Sequence, residues 1–160
     1  QTAELNVNYD KNIVKISLVY QFEQNWNATI QNSRKCTLYR SHKTKLEFEN
    51  YLVNIPQYFV KYVIKFRTSN HKLAIETGRY LNIARGERHC DLCEARKLGD
   101  EFHLLFECMN NNVCEARRKF IPVYYTQNPS VYKYSKLMCD IVNKNTGIQF
   151  AKFIKACNII

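Results

Sequence analysis

Cys90-Asp91-Leu92-Cys93, nine intervening residues, then His103-Leu104-Leu105-Phe106-Glu107-Cys108: this stretch decides how the chain is read. A C-x2-C pair followed by a His and a Cys within about two turns of helix is the ligand set of a Cys₃His zinc site. Zinc takes such ligands at about 2.0–2.3 Å in a tetrahedron. The C-x2-C turn sets two thiolates side by side on one knuckle. A short helix opened by Asp100-Glu101, whose acidic side chains suit a helix N-terminus, presents the other two. His103 and Cys108 are five positions apart, so one of them must sit at or beyond the helix end to converge. Four protein ligands leave no open coordination position, so the expected cofactor is a structural Zn²⁺ and a hydrolytic metal is disfavoured. Two neighbours can substitute: His89 for His103, and Cys114 for Cys108. The competing reading, ordinary buried cysteines, must explain the full four-ligand spacing as chance.

The surrounding composition suits a small helical domain. The chain has 160 residues, 46% hydrophobic and 13% aromatic, enough for a real core. Only 4 Gly and 3 Pro are present, which disfavours a turn-rich β-sandwich or barrel. No apolar run reaches the ~18 residues of a membrane span. The start, Gln1-Thr2-Ala3-Glu4, does not read as a signal peptide and lacks Met, so the chain is expected to be an excised part of a longer protein. Seven Cys is an odd count. An intracellular, reducing setting therefore fits better than disulfides, with Cys36, Cys139 and Cys157 as core or surface thiols.

Residues 1–12 are polar and expected to fray. From Ile13 to Ile30 a strand-like alternation (Val14, Ile16, Leu18, Tyr20, Phe22) competes with a helical stripe (Ile16, Val19, Glu23, Trp26, Ile30), and the helix is favoured. Lys35 to Lys45 reads as a basic loop, and Leu46 to Ile55 as a short helix. Pro56 suits a helix start. Phe59, Tyr62, Val63 and Phe66 follow at i, i+3, i+4, i+7, and this helix should end near Ser69-Asn70. Gly78 and Gly86 suggest turns. A helix over Val113 to Phe120 is stopped by Pro122. Ser130 caps another to about Val142, and Gly147 separates it from a last helix ending near Cys157. The expected fold is mostly α, a small helical domain stapled by the zinc knuckle. Its parts are an N-terminal helix and basic connector (1–55), a helix plus zinc module (56–125), and a C-terminal helical hairpin packing on it (126–160).

Charge separates function from metal. The net charge of +10 resolves into −1 over residues 1–33, +7 over 34–72, −2 over 73–108 and +6 over 109–160. The zinc segment is an acidic island between two basic blocks, so polyanion binding falls to the blocks. Arg67, His71, Lys72 and Arg79 cluster around a turn next to the knuckle, with Tyr58, Tyr62 and Tyr80 as stacking platforms. Arg117-Arg118-Lys119 forms a second candidate phosphate site, and Arg34, Lys35, Arg40, Lys43 and Lys45 a further patch. For any single Lys or Tyr, a solvated helix face or a core ring is the simpler reading. The group is what points to RNA or DNA. His71 alone signals no catalysis, since nothing orients it toward a cysteine nucleophile.

Together, Lys65-Phe66-Arg67-Thr68-Ser69-Asn70-His71-Lys72-Leu73, Glu76-Thr77-Gly78-Arg79-Tyr80, the C-x2-C pair, and Asp100-Glu101-Phe102-His103-Leu104-Leu105-Phe106-Glu107-Cys108 resemble the zinc-binding region of non-LTR retrotransposon reverse transcriptases. That family shows an Arg-Thr-Gly-His-like segment, a C-x2-C, and an acidic-His-Leu-Leu-Phe-x-Cys helix. The style is closest to invertebrate members, including Lys35-Cys36-x-x-Tyr39-Arg40, and covers about residues 30–130. Ser69 departs from the family, where Gly is common. The resemblance implies a segment beyond the polymerase thumb that handles template and target nucleic acid, with the upstream reverse-transcriptase domain of the same polyprotein as partner, no membrane, and an intracellular, nuclear location. It implies no catalysis here. Gly99-Asp100-Glu101-Phe102 lacks the aromatic-x-Asp-Asp pair of a polymerase, and no nuclease carboxylate cluster follows. The rival expectation is a structural or protein-interaction module that docks on the polymerase without binding nucleic acid itself.

Overall fold

The computed structural model describes residues 2–35 and 37–160, with side chains from Asp10 onward. Cys36, and with it part of the Lys35–Arg40 motif, lies outside the described residues. The described residues are mostly helical. They contain no strand beyond an isolated antiparallel bridge between His89 and Leu98. No described helix is long and apolar enough to cross a membrane. The chain divides into two compact units, Gln1–Glu47 and Phe48–Ile160.

In the first unit, α1 (Thr2–Asn32) begins well before Ile13, so residues 2–12, expected to fray, are helical. The helical period prevails over the alternating one, yet α1 buries only Ile30 of the predicted stripe, with Trp26 half-buried. Ile13, Val14, Ile16, Leu18 and Phe22 stay exposed. The expected basic loop contains a short helix, α2 (Thr37–His42). It buries Leu38, and the Arg40 Nη1 donates to the Gln31 carbonyl, 2.7 Å.

The second unit carries the core and the four clustered Cys and His residues. α3 (Tyr51–Asn54) is a single turn. α4 (Gln57–Arg67) starts directly after Pro56, but its buried stripe is Val60, Val63, Phe66 and Arg67. Phe59 and Tyr62 are only half-buried, so the helix is rotated from the expected face by about one residue. Its end is a Schellman turn. The Asn70 amide reaches back to the Lys65 carbonyl (2.7 Å) and the Ser69 amide to that of Phe66 (3.0 Å). Ser69 takes the left-handed conformation that closes this turn, φ 52°.

α5 (Ala74–Tyr80) follows, and Gly78 lies inside it rather than at a turn. α6 (Asn111–Phe120), α7 (Val123–Thr126), α8 (Val131–Asp140) and α9 (Lys144–Ala156) complete the unit. Ser130 caps α8 as expected, accepting from the Lys133 amide at 3.2 Å. Gly147 is not a separator but part of α9. A Cβ there would lie 2.3 Å from Ile55 Cδ1 and 2.5 Å from the Ile141 carbonyl oxygen, so close packing, not a turn, requires glycine. α9 packs on both α4 and α6. Phe66 meets Phe150 edge-on with centroids 5.0 Å apart, and Val63, Leu105, Leu137, Ile141, Phe153 and Ile154 are fully buried around them.

Candidate metal centre

Two local structures bring the four ligands together. The first is a narrow hairpin. The Gly99 amide donates to the Arg88 carbonyl (2.8 Å) and the Cys90 amide to that of Lys97 (2.9 Å), closing a loop that carries Cys90 and Cys93. Arg96 supplies its left-handed residue, φ 50°. Gly99 sits where a Cβ would come within 2.8 Å of Cys90 Cα and of Ala74 Cβ, so only glycine lets the two arms of the hairpin and α5 approach this closely.

The second is the helical segment following Asp100, whose Oδ1 accepts from the His103 amide at 2.9 Å and caps the turn. At ~100° per residue, positions five apart lie about 140° apart around an α-helix. The chain resolves this by forming a π turn over His103–Glu107, with the Cys108 amide donating to the His103 carbonyl at 2.7 Å. The wider turn and the extended backbone of Cys108 return its sulfur to the side occupied by His103.

The result is a compact cluster. Cys93 Sγ lies 3.3 Å from His103 Nε2, Cys90 Sγ lies 4.0 Å from Cys108 Sγ, and all four ligand atoms fall within 4.8 Å of one another. A tetrahedral zinc with S and N ligands has ligand–ligand edges of roughly 3.5–3.8 Å, so shifts of up to about 1 Å, inward for the longest separations and slightly outward for Cys93 and His103, would seat an ion. His103 Nδ1 faces Glu107 Oε2 at 3.4 Å, the carboxylate–histidine arrangement that orients a metal-bound imidazole. The Leu92 amide donates to Cys90 Sγ at 3.4 Å. The two possible substitutes stay out of the cluster. His89 is exposed on the hairpin, and the Cys114 thiol donates to the Cys108 carbonyl.

The thiols differ in acidity. Burial would raise the pKa of Cys93, but the Ala95 amide, the His103 ring and the Met109 amide bring it down to about 6. Burial pushes Cys108 up to about 12 and also raises Cys90. Without a cation the pocket favours one thiolate; holding three requires a positive charge at their centre.

The structure separates the candidate phosphate-binding residues. Arg67 and His71, expected on a phosphate-facing surface, are instead interior. Arg67 is 4% exposed, its Nη1 2.7 Å from Glu49 Oε1 and its guanidinium over the Tyr51 ring. His71 Nε2 lies 3.0 Å from Glu101 Oε1, tying the turn after α4 to the ligand helix. Arg79 is paired with Glu76 and stacked on Tyr80. Arg117 donates from Nη2 to the carbonyls of Leu104 and Cys108, 2.9 Å each, and so caps the π turn from α6. Lys72, Arg118 and Lys119 are exposed. Sequence reading missed Glu107, Gly99 and Asn110, whose side-chain amide holds the Leu92 carbonyl at 2.9 Å. For Glu107 the signal was present, a carboxylate four residues after a ligand histidine.

No family model, curated protein or solved structure matches this chain.

Proposed function

We propose that the chain is a non-catalytic nucleic-acid-binding module, stapled by a structural zinc, of the kind that stands beyond the polymerase in non-LTR retrotransposon reverse transcriptases. The observation that carries the reading is the convergence of Cys90, Cys93, His103 and Cys108. A closed Cys₃His shell braced by Glu107 suits a rivet, not a catalyst. The turn at Ser69 adds support. It holds the left-handed conformation that glycine adopts freely, at the position where the family commonly has Gly. Lys72, Arg118 and Lys119 remain as solvent-facing cations of the expected set.

Metal analysis paired with oligonucleotide titration over several salt concentrations tests this. The expected result is one zinc per chain, and an affinity whose logarithm falls linearly with log salt. A metal-free, fully folded chain would refute the rivet, and no affinity for any oligonucleotide at low salt would refute the binding role.

A second reading has its own observation. The exposed apolar residues of α1, among them Ile13, Val14, Leu18 and Phe22, suit a module that docks on the upstream polymerase. It calls for tight association with that upstream segment when the two are co-expressed, and no oligonucleotide affinity.

A further inference from the structure

α4 and α9 lie side by side and contain no Asp or Glu at all; their charges are Lys61, Lys65, Arg67, Lys144, Lys152 and Lys155. Arg67 is turned inward. On the outer side, Lys61 Nζ sits 5.0 Å from the centre of the Tyr58 ring and 5.1 Å from that of Tyr62. Lys155, from the other helix, lies 5.1 Å from the same Tyr58 ring and donates to its hydroxyl. Lys152 lies 6.0 Å from the Phe59 ring. Tyr58 contacts Phe59 and Tyr62 edge-on, with centroids 5.1 and 6.2 Å apart. Among the described residues, none of these three lysines has a carboxylate partner.

Two ammonium groups on one ring repel each other, and no acid relieves them. A folded surface tolerates this at a cost, and a polyanion removes the cost. The rings define what kind of polyanion. Tyr58 is 49% exposed in the middle of the cluster, and an exposed ring among cations offers a face for an unpaired base while the lysines take phosphates. A duplex hides its base faces, and an anionic bilayer offers none.

We infer that the α4–α9 face built by Tyr58, Phe59, Lys61, Tyr62, Lys152 and Lys155 is a binding surface for single-stranded nucleic acid. The inference rests on the nucleic-acid reading above and gives it a location that Arg67, His71, Arg79 and Arg117 do not occupy.

The test uses the full zinc-loaded chain, a fluorescein-labelled oligothymidylate and oligouridylate, a duplex of equal length, and phosphatidylserine vesicles. The variants are K61Q/K152Q/K155Q, Y58L, the charge-preserving K61R/K152R/K155R, and R118Q/K119Q as the rival patch. All changes are at the surface, and circular dichroism with zinc content checks folding. The triple Gln variant is expected to lose tenfold or more in single-strand affinity, and its salt slope to drop by about 2, since each lost phosphate contact removes about 0.7. The Arg variant restores both. Y58L is expected to weaken single strands by about tenfold while leaving duplex affinity unchanged. If the wild-type chain binds no oligonucleotide, the nucleic-acid reading fails and this inference with it. If it binds, and the triple Gln variant binds equally while R118Q/K119Q does not, only the location is overturned. Loss of vesicle binding with oligonucleotide affinity intact assigns the face to a membrane surface and overturns the inference too.

Discussion

Replacing Arg67 by Met distinguishes a buried structural cation from a phosphate contact. The guanidinium donates one charge-assisted bond to Glu49 at 2.7 Å and lies 5.0 Å from the Tyr51 ring centre. A hydrogen bond to a charged group contributes about 1.5–3 kcal/mol, and a cation–π contact about 0.5–2 kcal/mol. Glu49 retains 18% side-chain exposure, so water partly compensates its lost partner. The penalty should thus fall below the upper end of the about 3–5 kcal/mol seen when a buried pair is broken. Met fills most of the apolar volume. The expected loss is about 3 kcal/mol, a large share of the stability of a small domain. In urea, with zinc saturating, this moves the midpoint down by roughly 1.5–2 M. Adding Glu49→Gln to the Met variant should cost less than Glu49→Gln alone, giving a coupling of at least about 1 kcal/mol. The salt slope of oligonucleotide binding should stay as in the wild type. An unchanged urea midpoint with a slope reduced by about 0.7 would refute the placement of Arg67.

Other expectations follow from single contacts. Glu107→Gln should lower zinc affinity by about 10–100-fold in a chelator competition, because the carboxylate facing His103 Nδ1 is lost while all four ligands stay. Ser69→Val should cost about 1–2 kcal/mol by thermal melting, since a β-branched side chain is strained at φ 52°, whereas Ser69→Gly should match or exceed the wild type. Asp140 accepts from Tyr125 at 2.5 Å and from Lys136 at 2.6 Å. Burial raises its pKa, but these donors outweigh burial and hold it below the usual 3.8. The folded value being depressed, the stabilisation is present above pH 3.8 and fades as pH falls through the folded value. Asp140→Asn should therefore melt lower at neutral pH, and the gap to wild type should narrow in acid.

The grouping of the four Cys and His residues and most helices of the second unit were legible because their signals are local. A C-x2-C loop, an acidic N-cap before His103, Pro56 before α4 and Ser130 before α8 each act within a few residues. What failed were judgements that depend on distant neighbours. Gly147 looked like a break, but Ile55 and Ile141 press against it inside a continuous helix. The buried face of α4, which packs against α9, takes in Val60 and leaves Tyr62 half-exposed. The cations were the least legible. A Lys or Arg in a row of letters carries the same charge wherever it ends up.

By itself, then, the sequence specified which atoms could hold a metal, because ligand chemistry and short-range spacing are properties of the chain. Only the tertiary structure decided that His103 and Cys108 meet through a π turn, since no helix of 3.6 residues per turn aligns positions five apart. It also decided that Arg67 is neutralised inside by Glu49 and that His71 is buried against Glu101. Those pairs span 18 and 30 positions along the chain. The energy of a charge depends on its partner and its exposure to water, and both exist only once the helices have packed.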